Sequence, residues 1–211
     1  MLETVCLILG PVSTNCYLVA DSISGDAVVI DPAWDGNVIL AEAKKRTWNI
    51  RQLWYTHAHF DHFGGAAEIA QNLNPPPPIA LHPLEHDLWK NLGGAPLFGF
   101  HINPGPEPTV KLANGLILSL GKSEFEVRHT PGHTPGHVVF YCSSDAVLFC
   151  GDLIFKDSVG RTDLPGGDWD ILIHSIRNLL FSLPDETRLL SGHGPETTVG
   201  REKRENPFLA G

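Results

Sequence analysis

Apolar positions along the chain fall into short runs punctuated by glycine, proline and asparagine, and the period of those runs changes along its length. Apolar and β-branched residues at 5–9, 16–20 and 27–30 predict three strands, the first two joined through Gly10-Pro11 and Asn15 as a hairpin-like start. Between 37 and 46 the spacing becomes helical, with Val38, Leu40, Ala41 and Ala43 followed by Lys44, Lys45 and Arg46 at the negative end of the helix dipole. A buried strand ending in Leu53-Trp54-Tyr55 comes next, then a short helix at 66–72 behind Gly64-Gly65. Prolines 75–78 read as a stiff connector, 79–81 as a strand, and His82-Pro83 as the opening of a helix that runs to about Lys90. Residues 93–108 carry no period and interleave Phe98, Phe100 and His101 among glycines and prolines, a length at which a loop is either a substrate wall or a variable surface. Strands return at 116–120, 125–129, 138–142 and 146–150. The clearest helix is 168–183, capped by Asp168, striped by Trp169, Leu172, Ile176, Leu179, Leu180 and Leu183, and stopped by Pro184. A last strand covers 188–190. No internal repeat or linker stands out, and the chain reads as a single domain over residues 1–211.

Composition narrows the class. With 211 residues and 42% apolar content the chain can bury a full core, and 21 glycines with 17 prolines point to many tight turns rather than a helical bundle. A formal charge of -9 makes nucleic acid a poor default partner. Cys6, Cys16, Cys142 and Cys150 form no CxxC pair and do not read as a disulfide framework, which fits a reducing compartment. No basic segment precedes an apolar run at the N-terminus, and no stretch approaches a membrane span. The expectation is a cytoplasmic protein that acts on a small molecule, with no membrane or nucleic-acid partner.

One stretch changes the picture. In Thr56-His57-Ala58-His59-Phe60-Asp61-His62, three histidines and an aspartate fall within six positions directly after a buried strand. In extended backbone alternate side chains share a face, so His57 and His59 can turn two imidazoles toward one point. After the bend at Phe60, Asp61 and His62 offer a carboxylate and an imidazole to a second metal. A lone histidine is most often a core or surface residue; four ligand-type residues at this density are a metal motif. Three further positions repeat the logic singly, each at the end of an apolar strand among glycines: His133 in Thr130-Pro131-Gly132-His133, Asp152 after Cys150-Gly151, and His193 between Gly192 and Gly194. His82 and His86 stand four apart on a helix but lack acidic or thiol company. Asp31, before Pro32, reads as a turn former.

By its THAHFDH stretch, the glycine-flanked His133, Asp152 and His193, in that order over nearly the whole chain, the sequence resembles the metallo-β-lactamase superfamily. Gly160-Arg161-Thr162-Asp163-Leu164-Pro165-Gly166-Gly167 and Asn206-Pro207-Phe208-Leu209 are similar to the short, glyoxalase II-like (hydroxyacylglutathione hydrolase-like) members. The resemblance implies an α+β fold, an αββα sandwich of two packed mixed sheets flanked by helices. It implies two divalent metal ions, zinc first with iron or manganese as alternatives. His57, His59 and His133 would hold one, Asp61, His62 and His193 the other, and Asp152 would bridge, with His137 behind the site. The implied activity is hydrolysis of a thioester, S-acylglutathione such as S-lactoylglutathione, to glutathione and a hydroxy acid by a metal-bound hydroxide that catalytic Asp61 orients. A thiolate leaving group needs no dedicated acid. Arg161, Arg201, Lys203 and Arg204 are the candidates for a substrate carboxylate. Persulfide dioxygenases also resemble this chain and hold one iron through residues matching His57, His133 and Asp152, so an oxidoreductase is the alternative. A phosphodiesterase would want a basic face, and a purely structural site would close on four ligands.

Overall fold

The strands read from the sequence pair into two separate mixed sheets, one in each of the two units into which the computed structural model divides. Residues 2–209 are described. The first unit runs up to Leu112 and takes in Ser119–Ser123, and the second comprises Ala113–Leu118 and the chain from Glu124 onward.

The first unit contains β1 (Leu2–Leu9), β2 (Thr14–Asp21), β3 (Asp26–Ile30), α1 (Gly36–Lys45), β4 (Asn49–Trp54), α2 (Phe60–Phe63), α3 (Ala66–Asn72), β5 (Ile79–Leu81), α4 (His86–Lys90) and β6 (Val110–Lys111). Its six strands lie in sequence order. β1, β2 and β3 are antiparallel, whereas β3, β4, β5 and β6 run parallel, each reached by a crossover. Every residue of β2 is buried, as a strand covered on both faces must be. Leu18, Ala20, Val29 and Leu53 from the strands meet Ile39 and Ala43 of α1 and Ile69 of α3 in one apolar cluster, each large side chain contributing about 1.5–3 kcal/mol. Tyr55 stacks on Phe63 with ring centroids 5.8 Å apart, which ties the chain after β4 to α2.

The second unit's elements, apart from residues 119–123 where its first two strands meet, are β7 (Ile117–Leu120), β8 (Ser123–His129), β9 (Val138–Cys142), β10 (Val147–Gly151), β11 (Ile154–Phe155), β12 (Ser158–Val159), α5 (Trp169–Ser175), β13 (Arg188–Ser191), β14 (Thr197–Thr198) and α6 (Val199–Glu205). The sheet order is β14-β13-β10-β9-β8-β7, with β10 and β13 parallel and the β8, β9, β10 and β13, β14 pairs antiparallel. Leu148, Leu189, Leu172, Ile176, Leu180 and Val199 form the core.

Several elements differ from expectation. The helix read over 168–183 is capped as predicted, the Asp168 carboxylate accepting from the Ile171 amide at 3.0 Å. It stops being α-helical at Ser175, and Ile176–Leu180 form a wider turn in which the Phe181 amide reaches back to Ile176 at 2.9 Å. Leu172, Ile176, Leu180 and Leu183 stay buried along it. Trp169, assigned to the stripe, is 44% exposed because it is the first helical residue and lies beyond the last core turn. Residues 83–90 split into a tight turn, Pro83–Glu85, and α4. The two-residue strands β6, β11, β12 and β14, and helix α6, were not legible as periods. Among the described residues no helix is long and apolar enough to cross a membrane.

Candidate metal centre

In the first unit, β3 and β4 are parallel neighbours, so their carboxyl ends emerge side by side and deliver Asp31 and the 56–62 stretch together. The Asp31 amide donates to the Trp54 carbonyl at 2.9 Å. Its carboxylate accepts three bonds: from the Thr56 amide at 2.7 Å, from the Thr56 hydroxyl at 2.7 Å, and from His62 Nδ1 at 3.0 Å. Thr56 has a single hydroxyl proton and gives it to Asp31. Its oxygen therefore accepts from His57 Nδ1, 3.0 Å away. Both imidazoles thus carry their proton on Nδ1 and present the Nε2 lone pair, the form a metal binds. The fully buried Glu85 carboxylate accepts from the Ala58 amide at 2.8 Å and fixes the backbone between His57 and His59. Thr14 Oγ1, at the start of β2, donates to Asp61 Oδ2 at 2.8 Å. The His57 ring lies 4.9 Å from that of His59 and 4.1 Å from that of His62, and His62 Nε2 is 3.4 Å from Asp61 Oδ2.

The second unit repeats the device. β10 and β13 are parallel neighbours, joined beyond their ends by a bond from the Gly192 amide to the Gly151 carbonyl at 2.7 Å, and they deliver Asp152 and His193. His133 comes from the turn between β8 and β9, and its Nδ1 donates to the Arg161 carbonyl at 2.7 Å. His137 Nε2 accepts the Asp152 amide at 3.2 Å, so its Nδ1 carries the proton and donates to Thr130 Oγ1 at 2.9 Å. Both of its nitrogens are committed to posture rather than ligation. Gly160 lies against the same backbone: a Cβ there would stand 1.9 Å from the Asp152 carbonyl oxygen. Asp152 Oδ2 lies 3.7 Å from His133 Nε2 and 3.6 Å from His193 Nε2.

These separations test whether a metal fits. Two ligand atoms bound at 2.0–2.1 Å to one tetrahedral ion lie roughly 3.3 Å apart, longer than a hydrogen bond. Within the units the three imidazole-to-carboxylate distances, 3.4, 3.6 and 3.7 Å, sit just above that spacing. His57, His62 and His133 are buried, carry their proton on Nδ1 and are oriented by partners behind them. The residues of each unit fit divalent cations.

The other candidates have different employment. His82 Nδ1 accepts from the Leu84 amide at 3.3 Å, and His86 Nε2 pairs with Glu107 at 3.1 Å. Arg161 donates two parallel hydrogen bonds to the Asp163 carboxylate, each of 2.7 Å, which pulls the Asp163 carboxyl down from its ordinary 3.8 to about 2. Arg201 is bound to Asp157, Glu202 and Glu205, Lys203 to Asp185 at 2.8 Å, and Arg204 approaches Asp185 at 4.0 Å. Asp31, Glu85, Thr14 and the Arg161 carbonyl were missed as supports for the ligands. Asp31 had a signal, an aspartate at the end of a buried strand, but its meaning depends on which strand pairs beside it.

Known proteins place this architecture. The metallo-β-lactamase superfamily model matches residues 9–193 and so runs through both units. "Hydroxyacylglutathione hydrolase GloC" of Haemophilus influenzae is 35% identical over 208 residues, 92% of each chain. "Probable metallo-hydrolase YqgX" of Bacillus subtilis is 38% identical over 209 residues, 96% of this chain and 95% of that one. Among solved structures, the BLEG-1 B3 metallo-β-lactamase superposes with a TM-score of 0.91 at 38% identity over 100% of both chains. TTHA1623, crystallised in a di-iron-bound form, gives 0.89 at 42% identity over 97% of this chain and 100% of its own. With its α+β architecture, two mixed sheets flanked by helices and His/Asp donor sets suited to divalent metal, the chain belongs to the metallo-β-lactamase superfamily.

Proposed function

We propose that this chain hydrolyses thioesters, with an S-acylglutathione as substrate, at a centre of two divalent ions. Following the family's order of motifs, His57, His59 and His133 hold one ion, Asp61, His62 and His193 the other, and Asp152 is shared. The observation that carries the reading is that each unit presents a carboxylate at ion-sharing distance from an imidazole, Asp61 beside His62 at 3.4 Å and Asp152 between His133 and His193. A relative named as a hydroxyacylglutathione hydrolase, similar over 92% of both chains, supports the substrate class. When bound, the ions supply Lewis acidity toward the thioester carbonyl and make water acidic enough to attack near neutral pH.

The residues do the rest. Asp61, held by Thr14, orients the attacking water and accepts its hydrogen bond. Asp31 and the Arg161 carbonyl keep His62 and His133 in the tautomer that leaves Nε2 available. Attack forms a C–O bond and breaks the C–S bond. The thiolate departs without a protein acid, because a thiol is already acidic enough to leave as its anion, and it takes its proton from solvent. Zinc and iron are both compatible with such His/Asp donors.

The test is kcat/KM for S-lactoylglutathione on protein whose metal content has been counted. A value of about 10⁴ M⁻¹s⁻¹ or more supports the reading. No turnover on fully loaded protein removes glutathione thioesters as the substrate, and oxygen consumption with glutathione persulfide by protein holding a single iron replaces hydrolysis altogether.

A further inference from the structure

The 92–100 loop offers a second reading of the same site, resting on the thioesterase assignment. Its backbone is pressed onto the metal motif. Gly93 has φ of +60°, and a Cβ there would stand 2.3 Å from the Phe60 nitrogen and 2.7 Å from the Ala58 carbonyl oxygen. The loop's position is therefore set against the residues between His57 and Asp61. From that contact an aromatic array spreads outward. Phe60 stacks on Phe100 at 5.2 Å and leans on Phe98 at 5.6 Å, and the Trp34 ring meets Phe60 at 6.4 Å and Phe100 at 6.0 Å edge-on. Phe60 is 5% exposed, but the array ends at the surface in Phe98, 45% exposed, whose chain neighbour Leu97 is 72% exposed.

Single exposed hydrophobes need no explanation. This pair is the outer end of an aromatic cluster whose buried member, Phe60, stands in the chain between His59 and Asp61, and that nearness to the donors points to part of the substrate as the occupant. Glutathione carries two carboxylates and an ammonium group, for which Leu97, Phe98, Phe60, Phe100 and Trp34 offer no charged partner. We propose that the array receives the acyl group, and that the enzyme prefers thioesters of apolar acyl chains several carbons long over the short, polar lactoyl thioester. The chemistry is unchanged: water adds, the C–S bond breaks, and a longer carboxylic acid leaves.

The experiment uses the full chain loaded with metal, as wild type, Leu97→Ser, and Leu97→Ser/Phe98→Ser. The first readout is the ratio of kcat/KM for S-hexanoylglutathione to that for S-lactoylglutathione. The second is the ratio of affinities for two inert thioethers, S-hexylglutathione and S-methylglutathione, by titration calorimetry. Each covered methylene is worth roughly fourfold, so two or three covered groups give wild-type preferences of roughly 15- to 60-fold in both ratios. The double variant should lose most of both preferences and the single variant part. Turnover of both thioesters with the preference undiminished in the double variant overturns the acyl assignment alone. No turnover of either by fully loaded wild type overturns the thioesterase reading and this one with it. A wild type that sediments as a dimer, a double variant that sediments as a monomer, and unaltered ratios would assign the surface to a second copy of the chain and overturn the proposal.

Discussion

In the first unit His62 is held by the side chain of Asp31 and the Ala58 amide by the side chain of Glu85, whereas in the second His133 is held by the backbone carbonyl of Arg161, with Gly160 lying against Asp152. Both arrangements fix a tautomer and a direction. They fail differently. A side-chain brace is lost with its side chain, while a carbonyl brace survives any substitution that leaves the backbone where it is. Substitutions that look alike on paper should therefore have unequal effects in the two units.

The largest effect tests whether the units serve one reaction at all. Asp61→Ala and Asp152→Ala should each reduce hydrolysis to the background rate and lower the metal recovered with the purified protein. If either variant keeps most of its activity, the two units do not contribute to a common centre. Next comes the side-chain brace: Asp31→Ala should weaken metal binding by about 10- to 100-fold in a chelator competition, because His62 loses its orienting carboxylate. An affinity equal to wild type would show that the Asp31 contact is incidental.

Gly160→Ala asks the same of the backbone brace. A methyl group 1.9 Å from the Asp152 carbonyl has no room, so the denaturant midpoint should fall by an amount worth about 1–3 kcal/mol, with metal lost in parallel. A variant of unchanged midpoint would mean that this loop is free to move. The smallest effect is the sharpest contrast with Asp31. Arg161→Ala removes a long side chain but keeps the carbonyl, so metal affinity should stay within about threefold of wild type. Its trace should be a small loss of stability that disappears only in acid. Asp163 has its carboxyl lowered from 3.8 to about 2 by the Arg161 guanidinium; a depressed carboxyl stabilises the fold above its ordinary value, and that stabilisation disappears as the pH falls through about 2. Wild type should therefore exceed the variant in stability by a constant margin above pH 4, small because both groups are exposed, and the two should converge as the pH falls to about 2. A margin that persisted unchanged down to pH 2 would contradict the pairing.

The same asymmetry explains what the sequence disclosed. The first unit's donors lie within six positions, so spacing alone identified a metal motif at 57–62. His133, Asp152 and His193 are separated by 19 and 41 positions, and each is singly a weak signal, a ligand-type residue at the end of an apolar strand among glycines; the family resemblance, not spacing, assigned them their roles. Asp31 turns the chain as expected, the Ala33 amide reaching its carbonyl at 2.7 Å, but its hold on His62 was not legible, because a carboxylate after a strand has no partner until β3 and β4 are known to be parallel neighbours. In the fold, the long apolar runs were legible, since burial on two faces leaves a continuous hydrophobic signature. Two-residue strands such as β11 and β14 were not, because pairing, not periodicity, makes them. The wide turn at Ile176–Leu180 preserves a buried stripe that an unbroken helix would also have explained, so nothing in the pattern announced it.

The carbonyl of residue 161 has one more implication, for anyone who would redesign this scaffold. Because the main chain supplies the grip on His133, position 161 is a place where charge, size and polarity can be varied in a library with metal loading held nearly constant. At position 31 almost every member of such a library would be selected first for keeping its metal. Novel specificity is therefore better sought on the second unit's surface, where the scaffold tolerates drift, than in the pocket behind His62, where it does not.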